Sequence, residues 1–292
     1  MSAIRKRHQP RAGSRPTGPR LFMGLILVSV AGLSAWWGLG RGDGELGRLG
    51  GDLHSLHIAV DGGIIYGQHG GIQVSSDGGM TWTAPSGTGD AMAIAAGTAD
   101  PDTIYQAGHG LFLKSTDGGK TWQEPGFGNL PSTDIHGFSV APDSGDLYAN
   151  VAGRGLHLSR DEGKFWEFKT SATADAMTLA AGPGEPPVVY ALSMSQGPIR
   201  SDDGGETWRR IGGVAEPSMS GIYVHPESGN LYLTGVGGVY RSADRGASWE
   251  ALGPNAPMAL VASAANDERT LVAVAQNGQV YRSDDGGGSW QE

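Results

Sequence analysis

One octapeptide occurs six times in this chain. It reads Ser75-Ser-Asp77-Gly-Gly79-Met-Thr81-Trp82 on first appearance. It returns with its Asp and Trp at Asp117 and Trp122, Asp161 and Trp166, Asp203 and Trp208, Asp244 and Trp249, and Asp285 and Trp290. The tryptophans are 40, 44, 42, 41 and 41 residues apart. A fixed period near forty residues means repeated supersecondary units that bury their apolar faces only by stacking on one another.

The octapeptide is built as a strand, a tight turn and a strand. An Asp side chain accepts hydrogen bonds from nearby backbone N–H groups, and Gly supplies positive φ at little steric cost. The Ser and Thr hydroxyls can bond across the two arms, and the Trp can anchor the hairpin in a neighbouring apolar layer. Of the eight Trp, the two outside the repeats are Trp36 and Trp37. Six copies at regular spacing point to turn caps and anchors rather than to six catalytic or calcium-binding carboxylates.

Aligning on these boxes gives one grammar. A first strand covers 54–60, 92–96, 136–140, 177–181, 221–225 and 258–263. A turn follows, clearest in Pro142-Asp-Ser-Gly145 and Pro226-Glu-Ser-Gly229. A second strand carries Tyr66, Tyr105, Tyr148, Tyr190, Tyr232 or Val272. A glycine-bearing loop leads to a third strand, and the box turn leads to a short fourth strand. Four antiparallel strands in each of six units predict an all-β, six-bladed β-propeller over 52–292. Residues 44–50 are expected to extend or pair with the outer edge of the last blade, shielding an exposed strand edge.

The boxes resemble the Asp box, or BNR repeat, of sialidases, sortilin-type receptors, photosystem II assembly factors and many bacterial proteins labelled glycosyl hydrolases. The resemblance covers about residues 52–292. It implies the propeller fold and leaves activity open, because fold does not imply function. Sialidase-like glycoside hydrolysis would need an arginine cluster, a Tyr nucleophile with a Glu base, and an acid. The Arg-Ile-Pro-type motif that resemblance calls for ahead of the first box is missing here. Arg200, Arg241 and Arg282 instead occupy one repeated position beside the boxes.

Leu21 to Gly40 is uncharged for twenty residues, about the length of a membrane-spanning helix. Residues 1–20 are basic, which predicts a cytoplasmic amino terminus, and Trp36 and Trp37 suit the far interface. The expectation is a single-pass signal anchor over 21–40, with a cleaved signal peptide as the rival. Residues 41–51 form a glycine-rich tether, and the propeller lies on the periplasmic or extracellular side. With no Cys there is neither a lipoprotein anchor nor a disulfide framework. Seven of the 21 Lys and Arg lie before residue 42. That leaves 14 against 30 Asp and Glu, a net charge of −16. Such an acidic body argues against nucleic acid as a partner. The remaining candidates are a protein, a glycan or a metal, with the chain a monomer.

In a propeller the box turns occupy one face, and loops between second and third strands occupy the other. Sites favour that second face, where loops vary on a rigid scaffold. Three sets of residues fall there. The innermost strands begin at His54, Met92, His136, Met177 and Met258, with Met219 one residue out of step. These positions suggest a soft-metal site for copper, since thioether and imidazole suit Cu(I), or else ordinary packing. Asp52, Asp90, Asp134 and Asp175 stand two residues earlier. Together with Arg154 they are the candidate catalytic groups if the chain is an enzyme, and loop caps otherwise. His69, His109, Arg154, Gln196 and Asn277 precede or flank the loop glycines and are candidate ligand contacts. The favoured expectation is a membrane-anchored binding or scaffold propeller with no required cofactor. A glycoside hydrolase and a copper binder are the alternatives.

Overall fold

The computed structural model describes residues 46–97, 100–213 and 219–292. The expected cytoplasmic segment, the span over 21–40 and residues 41–45 of the tether lie outside them. Among the described residues there are six antiparallel sheets and no helix. Blade 1 contains Ser55–Ile58, Ile64–Gln68 and Gly71–Ser75, and blade 2 contains Ala93–Ala96, Ile104–Gly108 and Leu111–Ser115. Blade 3 runs through Ile135–Val140, Leu147–Val151, Gly155–Ser159 and Glu167–Thr170. Blade 4 comprises Ala176–Ala181, Val189–Ser193, Gly197–Ser201 and Arg209–Arg210. Blade 5 comprises Met219–Val224, Leu231–Gly235, Gly238–Ser242 and Glu250–Gly253. Blade 6 comprises Met258–Ala264, Asp267–Ala275 and Val280–Ser283.

Three blades depart from the expected four strands. In blades 1 and 2 the outer strand shrinks to single bridges, Ile72 with Ser86 and Lys114 with Gln123. Pro85 and Pro125 stand in those segments, and proline removes a ladder donor. In blade 6 the outer edge is shared. Arg282 bridges to Gln291, and Arg48 bridges to Gln279 on the same edge. Leu49 N donates to Gly278 O at 2.8 Å, and Gly47 N donates to Gly79 O of blade 1 at 2.9 Å. Leu46 and Leu49 are buried with Ile64, Tyr66, Val274 and Val280. Residues 46–50 therefore tie blade 6 to blade 1.

Each innermost strand packs on the next, and the last packs on the first. Between each pair of blades lies an apolar cluster that takes the box Trp of the later blade. Trp122 packs with Ile65 and Ile72 of blade 1, and Trp166 with Phe112 and Tyr105 of blade 2. Trp208 packs with Tyr148 and Leu156, and Trp249 with Tyr190 and Ile211. Trp290 packs with Tyr232 and Val239. Trp82 packs with Leu46 and Val280, which closes the circle. The ring is held by six repetitions of one contact, each burying large apolar area.

The boxes show why this contact repeats. In the fourth, Ser201 Oγ accepts from Gly205 N at 2.8 Å and donates to Asp203 Oδ1 at 2.6 Å. Asp203 accepts from Thr207 N at 2.9 Å and from Thr207 Oγ1 at 2.5 Å. The fifth box position is always Gly, with φ between +86° and +102°. A Cβ there would lie 2.3 Å from Ile211 at Gly246 and 2.5 Å from Leu156 at Gly205. Both are side chains of the preceding blade. The fourth position is also left-handed but open enough to accept Glu162 and Arg245, each at φ 62°. So the fifth glycine is demanded by backbone sign and by blade approach together, whereas at the fourth position the sign favours glycine without requiring it.

Candidate functional site

The two faces use carboxylates differently. On the box face each Asp is consumed by its own turn. Hydrogen bonds from Ser201, Ser248 and Ser289 hydroxyls lead the set that holds Asp203, Asp244 and Asp285 down to about 2. The arginines beside the boxes pair locally: Arg200 with Asp202, Arg241 with Glu250 and Arg282 with Asp284. They do not converge.

On the loop face, backbone bridges join His69 to Asp90 and His109 to Asp134. The loop between second and third strands of one blade is thereby stitched to the entry of the next. Gly153 N donates to Ala174 O at 2.9 Å in the same way at the next junction. Over blades 1 to 3 the result is a continuous arc of four imidazoles and three carboxylates. His69 Nδ1 lies 2.5 Å from Asp52 Oδ2, and His69 Nε2 lies 2.8 Å from Asp90 Oδ2. His109 Nδ1 reaches the same Asp90 oxygen at 2.8 Å, and its Nε2 lies 3.3 Å from Asp134 Oδ1. His54 Nε2 stands 3.1 Å from Asp90 Oδ1, and His136 Nε2 stands 3.4 Å from Asp134 Oδ1.

Asp90 is the centre of this arc and is 6% exposed. Both its oxygens have imidazole nitrogens nearby, yet among the described residues neither has a hydrogen-bond partner. Burial lowers the His54 pKa against the pull of Asp90 and so favours the neutral ring. The hydrogen bond that His69 donates to Asp52 raises the His69 pKa. His54 and His69 stack edge to face at 4.5 Å between ring centroids, and His109 and His136 at 5.1 Å.

The structure therefore joins residues that the sequence places in three separate sets. His54 and His136 from the strand starts meet His69 and His109 from the loops, and Asp52, Asp90 and Asp134 lie among them. Asp175 stands apart, accepting from Ser193 Oγ at 2.8 Å and Ser195 N at 2.9 Å, as a loop cap. Arg154 and Gln196 are exposed, and Asn277 caps its own turn through Gln279 N at 3.0 Å.

The methionines are dispersed. Met258 is fully buried against Tyr232, Val261 and Leu271. Met92 lines the central channel with His54 and His136. Met177 and Met219 line a cleft between blades 4 and 5 together with Met194 and Gln196. Met194 was not singled out by the sequence; its place in the loop carrying Gln196 was the only signal. The channel cavity is about 150 Å³, room for a few waters and short of the roughly 300–1,000 Å³ of a small-molecule site.

The BNR/Asp-box repeat family matches residues 113–124 and 199–210. Solved structures share the fold. The GH74 xyloglucanase from Xanthomonas campestris is 17% identical, with a TM-score of 0.56 over 84% of this chain and 46% of that one. The chain carries BNR/Asp-box repeats on a β-propeller fold. The GH74 enzyme of Niastella koreensis is 18% identical, with a TM-score of 0.60 over 84% of this chain and 37% of that one. This propeller thus spans less than half the length of either GH74 enzyme. YCF48 from Cyanidioschyzon merolae is 17% identical, with a TM-score of 0.51 over 82% of this chain and 84% of that one. No curated protein matches significantly. At these identities the likeness speaks for the fold alone.

Proposed function

We propose that this BNR-repeat propeller is a membrane-anchored, extracytoplasmic binding protein that presents the face opposite its Asp boxes to a ligand. The observation that carries the reading is the arc over blades 1 to 3. It gathers seven ionisable side chains on one face, six of them at least partly exposed. On the box face the box aspartates are satisfied by their own turns, and the carboxylates beside them pair with arginines. The apolar, uncharged stretch 21–40 behind a basic segment supports the anchor. Glycoside hydrolysis has weaker support. The loop-face carboxylates are crowded by imidazoles or, at Asp175, capped by the loop, and Arg200, Arg241 and Arg282 are paired on the other face.

The test is a screen of the purified chain against glycan and peptide arrays, alongside turnover of fluorogenic glycosides. The reading expects no turnover. It also expects a retained ligand that His69→Ala with His109→Ala releases at an unchanged melting temperature. Hydrolysis lost in Asp134→Asn, or a ligand indifferent to the histidine pair, would reject it.

A further inference from the structure

We infer that the Asp90 node of the loop face is a site for one borderline divalent transition-metal ion, zinc or a neighbour, held by Asp90, His69 Nε2 and His109 Nδ1. The inference deepens the reading of this face as the binding face and rests on it only for location. Three observations carry it.

The first is the state of Asp90. A carboxylate so deeply buried must be compensated by hydrogen bonds, by opposite charge or by a metal. Its oxygens make no hydrogen bond among the described residues although three imidazoles crowd them. A metal ion shared with the imidazole nitrogens would compensate both oxygens.

The second is tautomer logic. When the His69 Nδ1–H donates to Asp52, Nε2 carries a lone pair, and that lone pair faces Asp90 Oδ2 at 2.8 Å. A lone pair against a carboxylate oxygen is repulsive, and either a proton on Nε2 or a metal ion between the two atoms relieves it. Carboxylate, imidazole and metal in this order form the arrangement in which an outer carboxylate fixes the ring and raises its basicity. Asp52 holds that place for His69, and Asp134 stands 3.3 Å from the far nitrogen of His109.

The third is spacing. Donor atoms bonded to zinc at about 2.0–2.2 Å in a tetrahedral shell stand roughly 3.3–3.6 Å from one another. The ligand atoms of His69, Asp90 and His109 all lie within 4.8 Å, with 2.8 Å from each nitrogen to the shared oxygen. A small adjustment of the exposed imidazoles, opening each nitrogen from the shared oxygen by about 0.5 Å, makes room for the ion between them. His54 Nε2, 3.1 Å from the other Asp90 oxygen, stands beside it as a further donor.

The donor set names the class of ion. Imidazole with carboxylate suits zinc and its divalent neighbours, whereas calcium and magnesium prefer all-oxygen shells and Cu(I) prefers sulfur. No thioether belongs to this set. His69 and His109 are about half exposed, so the bound ion keeps coordination positions toward solvent. An anionic group of a ligand would bind there.

The test uses the full chain, stripped with chelator and titrated with Zn(II) or Co(II) alone. Calorimetry gives stoichiometry, and the visible spectrum of Co(II) reports imidazole ligation. One ion per chain is expected. His69→Ala and His109→Ala should each weaken uptake at least 100-fold, and Asp52→Asn about 10–100-fold, as outer-shell partners do. Arg154→Ala and Met177→Ala should leave it unchanged. Absence of saturable uptake at micromolar metal overturns the site, as does uptake indifferent to the two histidine changes or lost in Met177→Ala. Because the ring positions of His69 and His109 are exposed, equal melting temperatures in the metal-free variants exclude unfolding as the cause. The probe is the metal alone. Failure here therefore leaves the array result standing, and failure of the arrays leaves the metal result standing.

Discussion

Asp203 and Asp90 are the same residue type at opposite ends of the blades, and they live in opposite conditions. Asp203 is open to solvent and receives hydrogen bonds from Ser201, Thr207 and the turn amides, all within six residues of chain. Asp90 is buried, and its neighbours His54, His69 and His109 come from two blades. The first is finished by its own sequence. The second is left incomplete by the fold. A carboxylate satisfied locally stabilises the scaffold. One buried among convergent donors, without hydrogen bonds, is held there at some expense in stability, as functional sites are.

That contrast can be attacked from both ends. The largest effect is expected where the box meets the core. Trp166 is 2% exposed, donates to Gly163 O at 2.9 Å and packs on Phe112. Trp166→Ala should lose about 3–5 kcal/mol in denaturant unfolding. A loss under 1 kcal/mol would mean that the box is not the anchor between blades. Next comes Ser201→Ala, which strands the buried Gly205 N–H and removes a donor to Asp203; about 1–3 kcal/mol is expected. An unchanged midpoint would remove the claim that box hydroxyls complete the turn.

A smaller effect belongs to pH. Asp203, Asp244 and Asp285 sit at about 2 in the folded chain against an ordinary 3.8. Depressed carboxylates contribute stability that is full above about 4 and lost as pH falls through about 2. Melting temperature should hold down to about pH 5 and then decline toward pH 2. A flat profile over that window would show the box carboxylates to be idle.

The smallest stability effect is expected at the other face. Asp90→Asn removes a buried charge that makes no hydrogen bond, so the metal-free chain should melt no lower than the parent. Its Co(II) uptake should fall sharply. A melting loss as large as that of Ser201→Ala would make Asp90 a structural carboxylate like Asp203, and the contrast between faces would vanish.

Much of the scaffold was readable because the box is local. Strand, turn and Trp recur within eight residues, and the strand starts inferred from alignment fall within two residues of those observed. The thinning of blades 1 and 2 was also written in the chain, at Pro85 and Pro125, but the repeat pattern overshadowed it. The arc was legible only in pieces. His54, His69, Asp90 and His109 each stood out, yet they fell into separate sets because their positions in the repeat differ. The methionine periodicity was equally regular, and the fold scattered it, burying Met258 in the core and opening Met177 to a cleft.

The sequence by itself determined the repeat, the box turns and the need for a ring, since each depends on contacts a few residues apart or on one apolar face requiring another. The tertiary structure alone decided which polar side chains share a centre. Bridges between His69 and Asp90, and between His109 and Asp134, carry one blade's loop onto the next blade's first strand. Only that crossing of blades brings three imidazoles around one buried carboxylate, because the distances that matter there are set by ring closure rather than by spacing along the chain.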